Sequence, residues 1–175
     1  MNRAPILVVD ASLQGASLAV VDAAAPAGKR LLHHAQHTEN AGAVAQISCL
    51  AQDVLAASAV KLDDLAGIAV SIGPGSFTGI KVGLAFAYGF KAASKVDLPI
   101  HGLSAHLAAT AALHTKAASA TVLFLPATRT HGFACVAGLA GAEEPILIEV
   151  GEPASGRYAG SSSSRRWATS RWSIC

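Results

Sequence analysis

The segment Gly73-Pro74-Gly75-Ser76-Phe77-Thr78-Gly79-Ile80-Lys81-Val82-Gly83 gathers glycines, two hydroxyls and a lysine where an apolar run gives way to a long proline-free stretch. The chemistry such a segment could perform is anion binding. Gly75 is free to adopt positive φ, Ser76 or Thr78 can cap the following helix, and the free amides of its first turn favour a phosphate. A tight strand-to-helix turn without ligand accounts for the same residues equally well. The segment fits neither common phosphate fingerprint: G-x-x-x-x-G-K-[ST] fails because no hydroxyl follows Lys81, and G-x-G-x-x-G fails because Thr78 occupies the third glycine position. Asp10-Ala11-Ser12 ends the first apolar run, and its carboxylate could hold a hydrated magnesium while its hydroxyl approaches a phosphate. A lone aspartate there is more often a turn former. The candidate nucleotide or phosphate residues are therefore Asp10, Ser12, Gly73, Gly75, Ser76 and Thr78.

Other reactive residues are less suggestive. His33, His34 and His37 would alternate faces on a strand and have no acid or thiol at ligand spacing. His101, His106 and His114 are similarly unconvincing, since His106 and His114 stand two turns apart on an expected helix, too far to share one metal. No G-x-S-x-G elbow occurs, and Glu143-Glu144 before Pro145 reads as a solvated turn. Cys49, Cys135 and Cys175 are odd in number and far apart, which suggests buried thiols in place of a disulfide framework or zinc knuckle. The expectation is no catalytic residue and no metal site.

The elements that must position the glycine segment can be read around it. Ile68-Ala69-Val70-Ser71-Ile72 is a buried strand, and Ile80 to Lys95 a helix. The loop thus lies at a strand's carboxyl end, where open α/β sheets bind ligands. Upstream, Ile6–Val9 ending at Asp10 and Ser17–Val21 form a hairpin, and a third strand spans Lys29 to His34. Asn40 can cap a first helix whose Val44, Ile47, Leu50 or Ala51, Val54 and Leu55 share one stripe. Downstream come a strand at Leu98–His101, a helix from Ser104 to Lys116, and strands at Thr121–Leu125 and Phe133–Ala137. The order is βββαβαβαββ.

At 175 residues, 52% hydrophobic and only 14% charged, the chain can bury a real core. Its apolar runs are all shorter than the roughly 20 residues a membrane helix needs, and the interruption at Asp10 argues against a secretory signal. The expected location is the cytoplasm, with no membrane association. The net charge of +2 comes from the end of the chain: without Arg157, Arg165, Arg166 and Arg171 it is −2. The body therefore offers no basic face that argues nucleic-acid binding by itself. Past Pro153 the serine run Ser161–Ser164 and the dipeptides Arg166-Trp167 and Arg171-Trp172 show no period. Residues 157–175 read as a solvated tail or as the product of an altered reading frame.

Ile6 to Asp10 with Ala11-Ser12, followed by Gly73 through Gly83 and Leu84-Ala85, resembles the bacterial TsaB (YeaZ-like) family. The resemblance implies an α/β fold of the actin-like, Hsp70-like ATPase (ribonuclease H-like) type, with a first lobe of βββαβαβα form over 1–102 and an incomplete second lobe started over 103–156. It implies a non-catalytic scaffold in the machinery that attaches threonylcarbamoyl to the adenosine beside the anticodon of tRNA. The partners implied are a catalytic paralogue, TsaD, an ATPase subunit, TsaE, tRNA through the complex, and a second copy of the chain when the paralogue is absent. Pairing through the first two helices would use Ile47, Leu50, Val54, Gly79, Gly83, Phe86, Ala87 and Phe90. No cofactor of the chain's own is implied, with ATP or ADP and magnesium at the complex interface left open. Two departures stand out: the family's threonine after the first aspartate is Ala11 here, and its Asp-Ala-Arg after Leu125 is reduced to Ala127-Thr128-Arg129. An ATP/magnesium-dependent phosphotransferase using Asp10 is the alternative from the enzyme class. A glycoprotease, as related proteins were long labelled, lacks both a zinc site and a nucleophile.

Overall fold

The computed structural model describes residues 4–13, 15–37, 43–114, 121–127, 131–138, 141–142 and 145–149. The expected cap Asn40, Arg129, the Glu143-Glu144 pair and the segment 157–175 lie outside them.

Three strands open the chain: β1 (Pro5–Asp10), β2 (Ala16–Asp22) and β3 (Leu31–His37). They form an antiparallel meander, with Val9 opposite Leu18 and Leu7 opposite Val20. Helix α1 (Ala43–Ala57) then crosses over to β4 (Gly67–Ser71), which runs parallel to β1, and helix α2 (Phe77–Ala93) leads to β5 (Ile100–Leu103), parallel to β4. The strand order β3-β2-β1-β4-β5 is the ribonuclease H-like arrangement of actin-like lobes expected from the sequence.

Alternation decides which side of the sheet is packed. Leu7 and Val9 of β1 and Leu18 and Val20 of β2 point to one face and are fully or almost fully buried. Both helices cover that face, α1 over β2 and β3, and α2 over β4, β1 and β5. β4, parallel to both of its neighbours, is buried along its whole length, in keeping with its continuous apolar text. The stripe Ile47, Leu50, Ala51 and Val54 carries α1 into this core beside Ile68, Val70 and Ala87.

A short 3-10 turn, Leu62–Asp64, ties the two crossovers together. Asp63 Oδ1 accepts hydrogen bonds from the amide of Lys95 at 2.9 Å and from Ser94 Oγ at 3.3 Å, just past the end of α2. Asp63→Ala is expected to lower unfolding free energy by about 1 kcal/mol, the usual worth of a charge-assisted terminal contact. Urea denaturation measures it, and an unchanged midpoint would show that the contact is idle.

After α3 (Ala105–His114) a second sheet begins, with β6 (Thr121–Pro126) antiparallel to β7 (His131–Gly138), and β7 paired in turn with β8 (Gly141–Ala142) and β9 (Ile146–Glu149). Thr110 of α3, buried, donates to the carbonyl of His106 at 2.7 Å. On the opposite side of this sheet the ring of Phe124 lies over Gly132, where a Cβ would collide with it.

Several boundaries shift from their expected places. α2 starts at Phe77, earlier than Ile80, because Ser76 serves as its cap. The third strand runs Leu31–His37 and the fifth Ile100–Leu103, each displaced towards the C-terminus. Leu98 and Pro99 precede β5: Leu98 is fully buried and the Pro99 carbonyl accepts from the Ile68 amide at 2.9 Å. β8 and β9 extend the expected strand order. At four residues, the run Ile146–Glu149 behind Pro145 is too short to show a strand period.

Candidate functional site

The parallel strands β1 and β4 end side by side, at Asp10 and Ser71, and the chain leaves them into two different turns. After β1, Asp10 Oδ1 accepts from the Ser12 amide at 2.8 Å and from Ser12 Oγ at 2.6 Å, so the carboxylate closes its own turn. Ser12 Oγ also lies 3.0 Å from Ser71 Oγ, and the Ser12 side chain is completely buried. A polar knot therefore joins the ends of the two strands. Buried hydroxyls are stable only when so paired.

After β4 the chain reaches Gly73, which holds φ at +95° and would place a Cβ 2.8 Å from Ile80 Cδ1. Its carbonyl accepts from the Ala105 amide at 2.8 Å, linking the turn to α3. Ser76 caps α2: its hydroxyl accepts from the Gly79 amide at 3.3 Å, and its carbonyl accepts from Ile80 at 2.9 Å. The Ser76 amide, in turn, donates to the Ser12 carbonyl at 2.6 Å.

The glycines between these bonds have a different job from the one their pattern suggests. Gly75 does not take positive φ; that role belongs to Gly73. A Cβ on Gly75 would run into the carbonyl of Ser12, and one on Gly79 would run into the carbonyl of Ala11. Gly83, one turn further, sits 3.4 Å by its notional Cβ from Val70 Cγ2. The glycine ladder of α2 thus lets the helix lie against the turn after β1 and then against the sheet. Of the six phosphate candidates, Asp10, Ser12, Gly75 and Ser76 meet at this contact, Gly73 shapes it, and Thr78 points to solvent. Main-chain carbonyls, which carry partial negative charge themselves, face Gly75 and Gly79, and the amides of Ser76 and Gly79 are already engaged by the Ser12 carbonyl and the Ser76 hydroxyl. These residues do not fit a nucleotide phosphate at the turn, and no chemical step is derived through one.

The expected partner surface also needs correction. Ile47, Leu50, Val54, Gly83 and Ala87 are buried in the chain's own core, and Gly79 faces the turn after β1. Phe86 and Phe90 are half-buried, packed against that core with ring centroids 4.4 Å apart. Most of these residues face inward, because small and aromatic residues suit a sheet-facing surface as well as a partner-facing one. Facing outward are Phe77, 71% exposed, Lys81, Ala85, Tyr88, 62% exposed, Gly89 and Ala93. Lys81 Nζ stands 4.1 Å from the Phe77 ring centroid in a cation–π contact. Nothing lies within 4 Å of the notional Cβ of Gly89. The signal that could have found this face was the second small-residue ladder, Ala85, Gly89 and Ala93, two positions out of phase with the first.

The histidines stay apart. His34 Nε2 is 3.0 Å from Ser17 Oγ and His106 Nδ1 is 2.6 Å from Ser104 Oγ. Among the described residues no group of three histidines, cysteines or acids could hold a metal, and no helix is long and apolar enough to cross a membrane. Burial pushes the Cys135 thiol pKa upward, with its side-chain hydrogen bond to Thr110 pulling the other way. The thiol is accordingly no ready nucleophile.

Residues 35–141 match the family model described as TsaD: tRNA N6-adenosine threonylcarbamoyltransferase. The Escherichia coli K12 protein named tRNA threonylcarbamoyladenosine biosynthesis protein TsaB is 31% identical over 99 residues, which is 57% of this chain and 39% of that protein. The chain thus spans about two fifths of that relative's length. Two solved structures from Pseudomonas aeruginosa share the fold. One is a protein with similarity to peptidase YeaZ, with TM-score 0.66, 17% identity and coverage of 91% of this chain and 73% of that one. The other is YeaZ, with TM-score 0.65, 16% identity and the same coverage, 91% and 73%. With a family model spanning more than half of its residues, the chain belongs to the TsaD (tRNA N6-adenosine threonylcarbamoyltransferase) family, and within it is similar to TsaB and YeaZ.

Proposed function

We propose that this chain is a docking subunit of the machinery that makes threonylcarbamoyladenosine in tRNA, contributing a helical surface to a catalytic paralogue of its own fold and no chemistry of its own. The reading takes residues 1–102 as the lobe that docks and 103–156 as the start of a second. The observation that carries it is the outward face of α2, where Phe77, Lys81, Ala85, Tyr88 and Gly89 stand exposed beside a site with no acid, base or nucleophile poised for reaction. An exposed aromatic next to small residues lets another helix come close and fill a pocket, the usual makeup of an interface centre. TsaE and tRNA would join through the assembled complex, and the same face would pair two copies when the paralogue is missing.

Capture of the paralogue on the tagged chain tests this. Tyr88→Glu is expected to weaken capture at least about tenfold, the effect of losing a central aromatic anchor, while the circular dichroism and melting curve stay those of the parent. Capture unchanged by Tyr88→Glu would remove α2 from the interface. The phosphotransferase reading, in which Asp10 holds magnesium, has less support because Asp10 Oδ1 is engaged by Ser12. Calorimetry with ATP and magnesium decides it: binding that Asp10→Ala abolishes would revive that reading.

A further inference from the structure

The glycine segment makes an unusual set of bonds for a loop that looks built for a ligand. The carbonyls of Ala11 and Ser12 are set against Gly79 and Gly75, the Ser76 amide is donated to Ser12, and the Ser12 hydroxyl is bonded to both Asp10 and Ser71. The two carbonyl approaches and the Ser76 amide bond join the turn after β1 to the start of α2, while the Ser12 hydroxyl braces that turn internally at Asp10 and against the end of β4 at Ser71. Two carbonyl dipoles approaching the N-terminal turn of a helix offset its partial positive charge, as a bound anion would. We infer that the Gly75–Gly79 segment is a main-chain lock between the β1 turn and the start of α2, and that Ser12, Gly75 and Gly79 are positioning residues which set the angle at which α2 presents Phe77 and Lys81.

The physical basis is the geometry of the approach. A helix carrying a side chain at 75 or 79 would stand off the sheet end by the width of a methyl group, and the notional Cβ atoms collide with main chain that no rotamer change can move. Gly83, against Val70 and Ala11, continues the same close packing one turn on. Phe77 lies between the two locking glycines in sequence, so its outward projection depends directly on the lock. Lys81, one turn later, stacks on its ring. Gly89 is the contrasting case on the same helix, since an added methyl group there meets open space.

The inference rests on the docking reading for its consequence but not for its test. Ser12→Ala removes the hydroxyl without adding bulk, Gly79→Ala adds bulk at the lock, and Gly89→Ala serves as the control. Amide hydrogen exchange in the full chain is expected to rise about tenfold at Ser76, Gly79 and Ile80 in Ser12→Ala, and further in Gly79→Ala, with Gly89→Ala unchanged. Capture of the catalytic paralogue should fall in the same order. Unaltered exchange in Ser12→Ala would overturn the lock, as would protection of the Ser76–Ile80 amides by added inorganic phosphate, which would restore the ligand cradle. Faster exchange with undiminished capture would overturn the positioning role. Failure of the parent chain to capture the paralogue would overturn the docking reading alone, because the exchange measurement still decides the lock.

Discussion

Gly79→Ala is expected to lower the unfolding free energy by about 2–3 kcal/mol, whereas Gly89→Ala, further along the same helix, is expected to raise it by about 0.5–1 kcal/mol. Propensity alone predicts a gain at both positions, since alanine is the better helix former. The surroundings reverse the sign at one of them. At Gly79 the new methyl group would fall on the carbonyl of Ala11, a main-chain atom held by the β1–β2 hairpin. Relief requires the whole turn to move, which strains the 2.6 Å bond from the Ser76 amide to Ser12 and the buried Ser12–Ser71 contact. At Gly89 nothing lies within 4 Å, so only the propensity gain remains. Urea titration of both variants at one temperature measures the pair. Equal and positive shifts would mean that the contact at Gly79 yields without cost.

Much of the first sheet was legible because its periods are clean. Alternating burial in β1 and β2, the continuous apolar text of β4 and the stripe Ile47, Leu50, Ala51 and Val54 each have one physical explanation, and the structure uses it. The meander and the two helical crossovers leave few ways to cover a single face, and the order β3-β2-β1-β4-β5 is one of them. Glycines were less legible. A glycine in sequence states only that a side chain is excluded, and exclusion by positive φ, by a ligand or by neighbouring main chain leaves the same letter. Gly73 belongs to the first case and Gly75 and Gly79 to the third. Asp10 posed a similar ambiguity, resolved by the location of Ser12: a carboxylate two residues before a buried serine closes a turn. Helix α2 was ambiguous in its phase. With apolar or small residues on nearly every side of Phe77–Ala93, the pattern names no inward face, and the sheet's own residues, Val70 and Val9 above all, select Gly83 for burial, with Ala87 enclosed in the same core.

That selection makes two neighbouring substitutions behave as opposites. Ala87→Glu is expected to unfold the chain, while Ala85→Glu should leave the fold intact and block docking. Ala87 is fully enclosed among core residues, and Ala85 is exposed. A carboxylate placed at 87 would either be buried without a partner or force α2 away from β4, and a buried unpaired charge costs several kcal/mol. A domain of this size has only about 5–15 kcal/mol of stability in total, so loss of the cooperative melting transition is the expected readout for Ala87→Glu. At 85 the carboxylate reaches water, and the cost falls within about 0.5 kcal/mol, as for other surface changes. Its effect appears only when another helix approaches, because closing the interface would strip the charge of solvent. Thermal melting and capture of the paralogue, measured on both variants, therefore separate core from surface on one helix: a folded Ala87→Glu protein would show that α2 does not pack as described, and a folded Ala85→Glu protein that still captures its partner would move the docking face elsewhere.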